Sequence, residues 1–263
     1  MGEIVWLCRY PVKSLLGEER ACLGLRGSGV EGDRRYALID RETGLVASAK
    51  YPRRWRALLR LRSWYDHGRL AVTLPDGTTH HEGALSLDEA LSRAAGRAVR
   101  LTRERPQGAQ LERESPLVEA DAGTVVRSTL TNQDSFVDFG AVHLVTTATL
   151  DALGGADPRR FRPNVVLRMR EPVPFVENGW TAHTLSTEDG TTLRVQVPTP
   201  RCQVPTLAHG PDLPPDVEVL RAAARQNRVP VLQLGPLTCV GAYAAVADLG
   251  RLRIGDRVLV SPR

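Results

Sequence analysis

The sequence predicts a mainly β protein with short helices, an α+β chain in two parts, residues 1–105 and 106–263. Three observations carry this. Short apolar runs rich in Val, Leu, Ile and aromatic residues recur along the chain, separated by Gly, Pro and Asp turns. Apolar residues at helical spacing occupy only brief stretches. Between the two sets lies 103–116, polar and holding two prolines, the best position for a domain joint.

In chain order, residues 4–10 read as a strand ended by Pro11, and 19–25 as a second. Residues 27–32 have the form G-x-G-x-x-G, but that fingerprint must open a helix. The following Tyr36-Ala37-Leu38-Ile39 has strand composition, so the glycines predict a turn with positive φ. Residues 57–62 and 70–74 are further strands, the second ended by Pro75-Asp76-Gly77. Ser86-Leu87-Asp88-Glu89 fits a capping box, opening a helix that Gly96 closes. A strand at 99–102 completes the first part, which reads as a small β-barrel or sandwich. In the second part 142–145 is a strand running into a helix that starts at Thr146 and reaches about Leu153. Strands follow at 165–167, 180–185, 191–197, 239–246 and 251–260, with Asp216 as N-cap of a helix over 217–227.

With 263 residues, 42% hydrophobic and 25% charged, the chain has material for a sizeable core. No run of about 18 apolar residues occurs, so no membrane span is expected. Residues 1–6 lack a basic n-region and a long apolar stretch, which argues against a secretory signal. Cys8, Cys22, Cys202 and Cys239 are scattered and form no C-x-x-C pair, so a cytoplasmic, reducing location is expected. The net charge is +5, yet the only lysines are Lys13 and Lys50. Without a basic helix or aromatic-interleaved basic strip, nucleic acid is not the expected partner; a concentrated anion site and diffuse solubilising charge both remain open. His80-His81-Glu82 has no third ligand nearby and reads as solvated.

The segment with most chemistry is 197–206, Val-Pro-Thr-Pro-Arg-Cys-Gln-Val-Pro-Thr. Three prolines stiffen it, which suits holding Cys202 in one place. Arg201 beside it favours a thiolate, the form that ligates metals. A small cysteine that merely packs in the loop is the competing reading. Lys13-Ser14, in the turn after the first strand, puts a point charge beside a hydroxyl donor, and an exposed turn lysine is its plain alternative. Asp33-Arg34-Arg35 offers forked cations after the glycine turn, with Asp33 orienting Arg34 as an ordinary ion pair. Thr146 and Thr147 place hydroxyls at a helix start, useful for an anion or simply as a cap. Asp157 to Arg162 packs three arginines ahead of a strand, with Arg162 between Phe161 and Pro163.

Taken together, Tyr-Pro-Val-Lys-Ser at 10–14, Asp33-Arg34, Phe-Arg-Pro-Asn at 161–164, Arg201-Cys202 and Ile-Gly-Asp-Arg-Val at 254–258 resemble the MOSC superfamily. Their order over the whole chain is similar to the amidoxime-reducing components, an N-terminal β-barrel domain followed by a MOSC β-barrel domain. The resemblance implies a molybdenum cofactor (Mo-molybdopterin) with Cys202 as metal ligand and catalytic residue. It implies cofactor-binding roles for Lys13, Ser14, Arg34, Arg162, Asn164 and Arg201, and for Thr146 and Thr147 at the pterin phosphate. The implied activity is an oxidoreductase acting on small N-hydroxylated substrates, fed by an external ferredoxin- or flavoprotein-type electron donor. The larger bacterial relatives carry a fused ferredoxin-like tail, whereas this chain stops after its final strand. A sulfur carrier with persulfide at Cys202, or a cofactor-binding and delivery protein, is the alternative. Pro200 stands where the reductases commonly have Ser, which removes a hydroxyl and an N–H from the ligand loop.

Overall fold

The computed structural model describes residues 1–114, 124–130 and 135–262. Ser115 and Pro116, the end of the expected joint, lie outside the described residues.

Seven strands close into a barrel: β1 Gly2–Arg9, β2 Val142–Thr146, β3 Val165–Met169, β4 Thr184–Thr187, β5 Thr192–Pro200, β6 Pro236–Asp248 and β7 Arg257–Ser261. Around the barrel the order is β2-β3-β1-β7-β4-β5-β6, and β6 returns to β2. All pairs are antiparallel except β2–β3, which is parallel. That exception follows from the chain: β2 and β3 are joined through the helix Thr147–Ala152, and a parallel pair needs such a crossover. The barrel draws β1 from the N-terminal end and everything else from residues 142–261. Ile4 of β1 faces Leu167, and Gly2 faces both Met169 and Val258. Inward residues alternate with outward ones: on β5, Leu193, Val195 and Val197 are buried while Arg194 and Gln196 are exposed. Ile4, Leu7, Leu144, Leu167, Leu185, Val195, Ala244 and Val258 belong to the resulting core.

A second core, including Val12, Leu15, Leu38, Trp55, Leu58, Leu70, Leu91 and Val99, lies under short ladders. Ala37–Asp40 pairs with Val99–Thr102, and Arg62–Asp66, Arg69–Thr73 and Thr79–His81 form a three-stranded sheet. The helix Leu87–Ala95 presents Leu87 and Leu91 to this core and ends at Gly96 with φ +70°. The glycine turn at 27–32 is confirmed, with Gly29 at φ +123° and so close to Ala141 that a Cβ would sit 2.5 Å from its carbonyl oxygen. Among the described residues, no helix is long and apolar enough to cross a membrane.

Four local expectations change. Residues 57–62 form mostly a 3-10 helix, Arg56–Arg60, because Leu58 and Leu59 are buried on one tight turn and the strand starts only at Arg62. Residues 180–183 precede rather than begin β4, and Val176–Trp180 is a 3-10 turn. The run 251–260 is two strands, Arg251–Arg253 and β7, broken at Gly255 with φ +92°. Ser86 makes no cap; its hydroxyl sits 3.2 Å from His80 Nδ1, while Asp88 accepts from the Leu101 N–H. Asp216 does cap its helix, accepting from the N–H groups of Glu218 and Val219.

Candidate functional site

The site is built on Tyr10, the residue after β1. Its ring is buried and carries two guanidinium groups, Arg34 at 4.4 Å and Arg162 at 4.3 Å from the centroid. Such stacking on a π face is attractive for each cation alone. Two like charges on one ring repel, and that opposition needs a counter-charge.

Arg34 has one, Asp33, at 2.5 Å, and its Nη2 donates to the carbonyl of Arg162. Among the described residues Arg162 has no ion-pair partner, and its Nη1 and Nη2 are buried without a hydrogen-bond partner. Burial first, and the charge of Arg34 second, pull its pKa down to about 10. The backbone is bent to achieve this. Ser14, Arg34 and Arg162 all have positive φ, at 66°, 45° and 57°. For residues with a Cβ this conformation costs about 1–3 kcal/mol each and concentrates at functional sites. The bend at Arg162 also turns consecutive carbonyls toward cations: Arg201 Nη2 donates to Phe161 at 2.8 Å, as Arg34 does to Arg162.

Arg201 therefore points away from Cys202. Its guanidinium lies by Phe161 and 3.4 Å from His143 Nε2, and its Nε is buried without a partner. Burial and then the Arg201 charge push His143 well below its ordinary pKa, so the imidazole is neutral. Lys50 interacts electrostatically with Cys202, which with Asp138 holds the Lys50 ammonium above its ordinary pKa despite burial.

Lys50 and Lys13 share one carboxylate. Asp138 Oδ1 is 2.7 Å from Lys13 Nζ, and Oδ2 is 3.1 Å from Lys50 Nζ. Lys13 also donates to the Phe136 carbonyl, and burial lowers its pKa to about 8. Ser14 Oγ accepts from the Ala49 N–H at 3.0 Å, fixing 13–14 against 49–50. The scarcity of lysine pointed to both residues; Lys50 gained no role from sequence because its partner is 88 positions away.

Cys202 follows β5, half-buried against Ala49, Leu59 and Val204. The preceding strand pairs Pro200 with Cys239 at a register shift, and the Arg201 N–H donates to Thr238. Proline is tolerated at such irregularities. Buried Arg160 clamps the next turn, donating to the carbonyls of Pro205, Leu207 and Pro214. Of the three arginines ahead of β3, Arg160 is thus a loop clamp, Arg159 pairs with Asp157, and only Arg162 is unpaired. The carbonyl clamp had no signal in the sequence.

The remaining expected residues are placed elsewhere. Thr146 is fully buried, caps the helix by accepting from the Thr149 N–H, and lies 3.1 Å from Glu177 Oε2. Asn164 stitches the barrel, donating to Cys8 O and accepting from the His143 N–H. Thr147 opens the six-residue helix and is half-buried. Among the described residues, no three His, Cys, Asp or Glu side chains cluster to hold a metal. His81 instead lies 2.9 Å from Asp66.

The inventory fits one kind of ligand. Buried donors dominate, and Arg162 Nη1 and Nη2, Arg201 Nε and the Thr199 hydroxyl lack protein partners. A buried polar group left unpaired costs about 1–3 kcal/mol, so these groups fit an anionic ligand. Cys202, half-buried and outside any cluster of metal-ligating side chains among the described residues, fits a metal that brings its other ligands with it.

Comparison with known proteins gives the family. Residues 1–126 match the model of the MOSC N-terminal beta barrel domain and residues 132–259 that of the MOSC domain. No curated protein matches the chain. Among solved structures, the YUAD protein from Bacillus subtilis is similar, at 12% identity and a TM-score of 0.47, over 98% of this chain and 94% of that one. The chain thus belongs to the MOSC family, a family associated with molybdenum-cofactor binding.

Proposed function

We propose that this chain binds a molybdenum cofactor and reduces N-hydroxylated small molecules. The observation that carries the reading is the unpaired guanidinium of Arg162, held over Tyr10 beside Arg34. A dithiolene-bearing pterin with a phosphate is strongly anionic and supplies what that group lacks. Arg162 and Arg34 would hold the phosphate-bearing end, with Lys13, Ser14 and Arg201 around it. Cys202 Sγ would ligate the metal, a soft thiolate donor on a stiff loop. Once bound, the cofactor supplies two-electron redox chemistry at oxygen.

The chain's own residues bind and orient. Arg160 and the three prolines fix the ligand loop. Lys50 places positive charge near Cys202. The Phe161 carbonyl holds Arg201 in place, and neutral His143, its Nε2 3.3 Å from the Val240 carbonyl, adds no charge beside it. Converting N–OH to N–H consumes two electrons and two protons and releases water. The electrons enter from a separate ferredoxin- or flavoprotein-type donor, in a cytoplasmic setting.

The test uses full-length protein from a host that makes the cofactor, with an amidoxime as substrate and a chemical electron donor. Wild type turns the substrate over, and Cys202→Ser does not while keeping its circular dichroism. Turnover retained in Cys202→Ser would remove Cys202 from the reaction.

A further inference from the structure

We propose that His209 is a further ligand-contacting residue of this site: its Nε2 accepts a hydrogen bond from an N–H or O–H group of the phosphate-bearing ligand that Arg162 holds. The inference rests on reading the Arg162 basin as the phosphate seat.

His209 is 2% exposed. Its Nδ1 lies 2.9 Å from the Leu207 carbonyl. A carbonyl can only accept, so Nδ1 carries the proton and Nε2 presents a bare lone pair. That Nε2 is buried and has no partner. The loop around it is fixed from three sides. His209 N–H donates to Leu213, Gly210 N–H donates to Leu59, and Arg160 holds Pro205, Leu207 and Pro214. The charged groups acting on the ring are Arg162 and Arg160, with Asp157 opposing them. Burial first and Arg162 next lower its pKa to about 4, so it is neutral at physiological pH.

Arg162 is the strongest charged influence on His209, and the two buried groups have opposite needs. Arg162 lacks an acceptor and His209 lacks a donor. They do not satisfy each other, because stacking on Tyr10 holds the guanidinium and the Leu207 bond holds the imidazole. A ligand serving both needs an anionic edge and a donor on one molecule. A phosphate ester of a heterocycle bearing N–H groups has both, and so does hydrogen phosphate.

The experiment has two arms on the full chain. In the first, imidazole 15N NMR follows His209 Nε2 while inorganic phosphate is added. The Nε2 resonance moves upfield and saturates together with the Arg162 guanidinium signal, and Arg162→Ala abolishes the Nε2 change. In the second, pterin per chain is measured after expression in a cofactor-making host. His209→Gln, which keeps an acceptor, retains the wild-type content. His209→Leu lowers the pterin affinity about five- to tenfold, the loss expected for one hydrogen bond. A guanidinium signal that moves without Nε2, or full pterin content in His209→Leu, overturns the role of His209 and leaves the phosphate seat standing. An unmoved Nε2 together with wild-type protein free of pterin overturns both. If His209→Leu does not fold, the wild-type titration and His209→Gln still decide.

Discussion

Replacing Asp138 by Asn removes one negative charge from between two ammonium groups. Lys13 is the more dependent: its side chain is 5% exposed and its Nζ lies 2.7 Å from Asp138. Lys50 is 25% exposed and 3.1 Å away. Removing one partner of a fully buried pair costs about 3–5 kcal/mol. Asp138 is itself 31% exposed, so water recovers part of that, and about 2–3 kcal/mol is expected at pH 7. The loss depends on pH. Burial already lowers Lys13 to about 8, against an ordinary value of 10.5, and the carboxylate is the main influence opposing it. Without Asp138, Lys13 drops further and sheds its proton at a lower pH. A lowered folded-state pKa means that stability rises with pH between the folded and unfolded values. In Asp138→Asn that rise begins below 8, so its deficit is larger at pH 6 than at pH 8.5. Urea denaturation of both proteins at the two pH values measures it, and a Lys13→Met cycle isolates the pair. Equal stability of variant and wild type, or a deficit independent of pH over this range, would refute the reasoning.

Gly241→Ala should cost at least about 1–3 kcal/mol, since Gly241 sits at φ +80° where a side chain is strained. Its Cβ would also lie 2.4 Å from the Leu144 carbonyl and 2.6 Å from His143 Nε2, so the His143 resonances should shift; an unchanged urea midpoint contradicts this. Glu177 is buried with its pKa raised by desolvation, so any stability from its neutral form is present below the ordinary value of 4.5 and lost as pH rises through the folded-state value. Glu177→Gln keeps an acceptor for Thr146 and Thr149 and escapes that loss, so it should be at least as stable as wild type at pH 7, with its advantage shrinking below pH 5. Thermal unfolding across that range checks it, and a clearly less stable Gln variant at pH 7 would count against a strained carboxylate.

Local chemistry was legible where one segment decides its own structure. The glycine turn, the Asp216 cap, the Gly96 helix end and the stiff loop around Cys202 are all properties of a few consecutive residues. What depends on distant partners was not legible. The place of β1 in the barrel follows from its pairing with Val165–Met169 and Arg257, which no periodicity encodes. The run 57–62 has strand composition, but buried Leu58 and Leu59 win it for a 3-10 turn. Arg201 was expected to face Cys202 because it precedes it; consecutive side chains on an extended chain point to opposite sides, and Arg201 turns to Phe161. Lys13, Arg34 and Arg162 were flagged from their neighbours. Their convergence on Tyr10 and Asp138 is tertiary. His209 had no signal beyond being one of six histidines, in a loop rich in Gly and Pro.

The most direct test of the central claim is the molybdenum and pterin content of wild type and Cys202→Ala from a host that makes the cofactor, by elemental mass spectrometry and fluorescence of the oxidatively released pterin. Near-stoichiometric metal and pterin in wild type, with metal lost from the variant, is the predicted result. Metal and pterin absent from both would contradict it, and persulfide at Cys202, the signature of a sulfur carrier, would then be the species to seek.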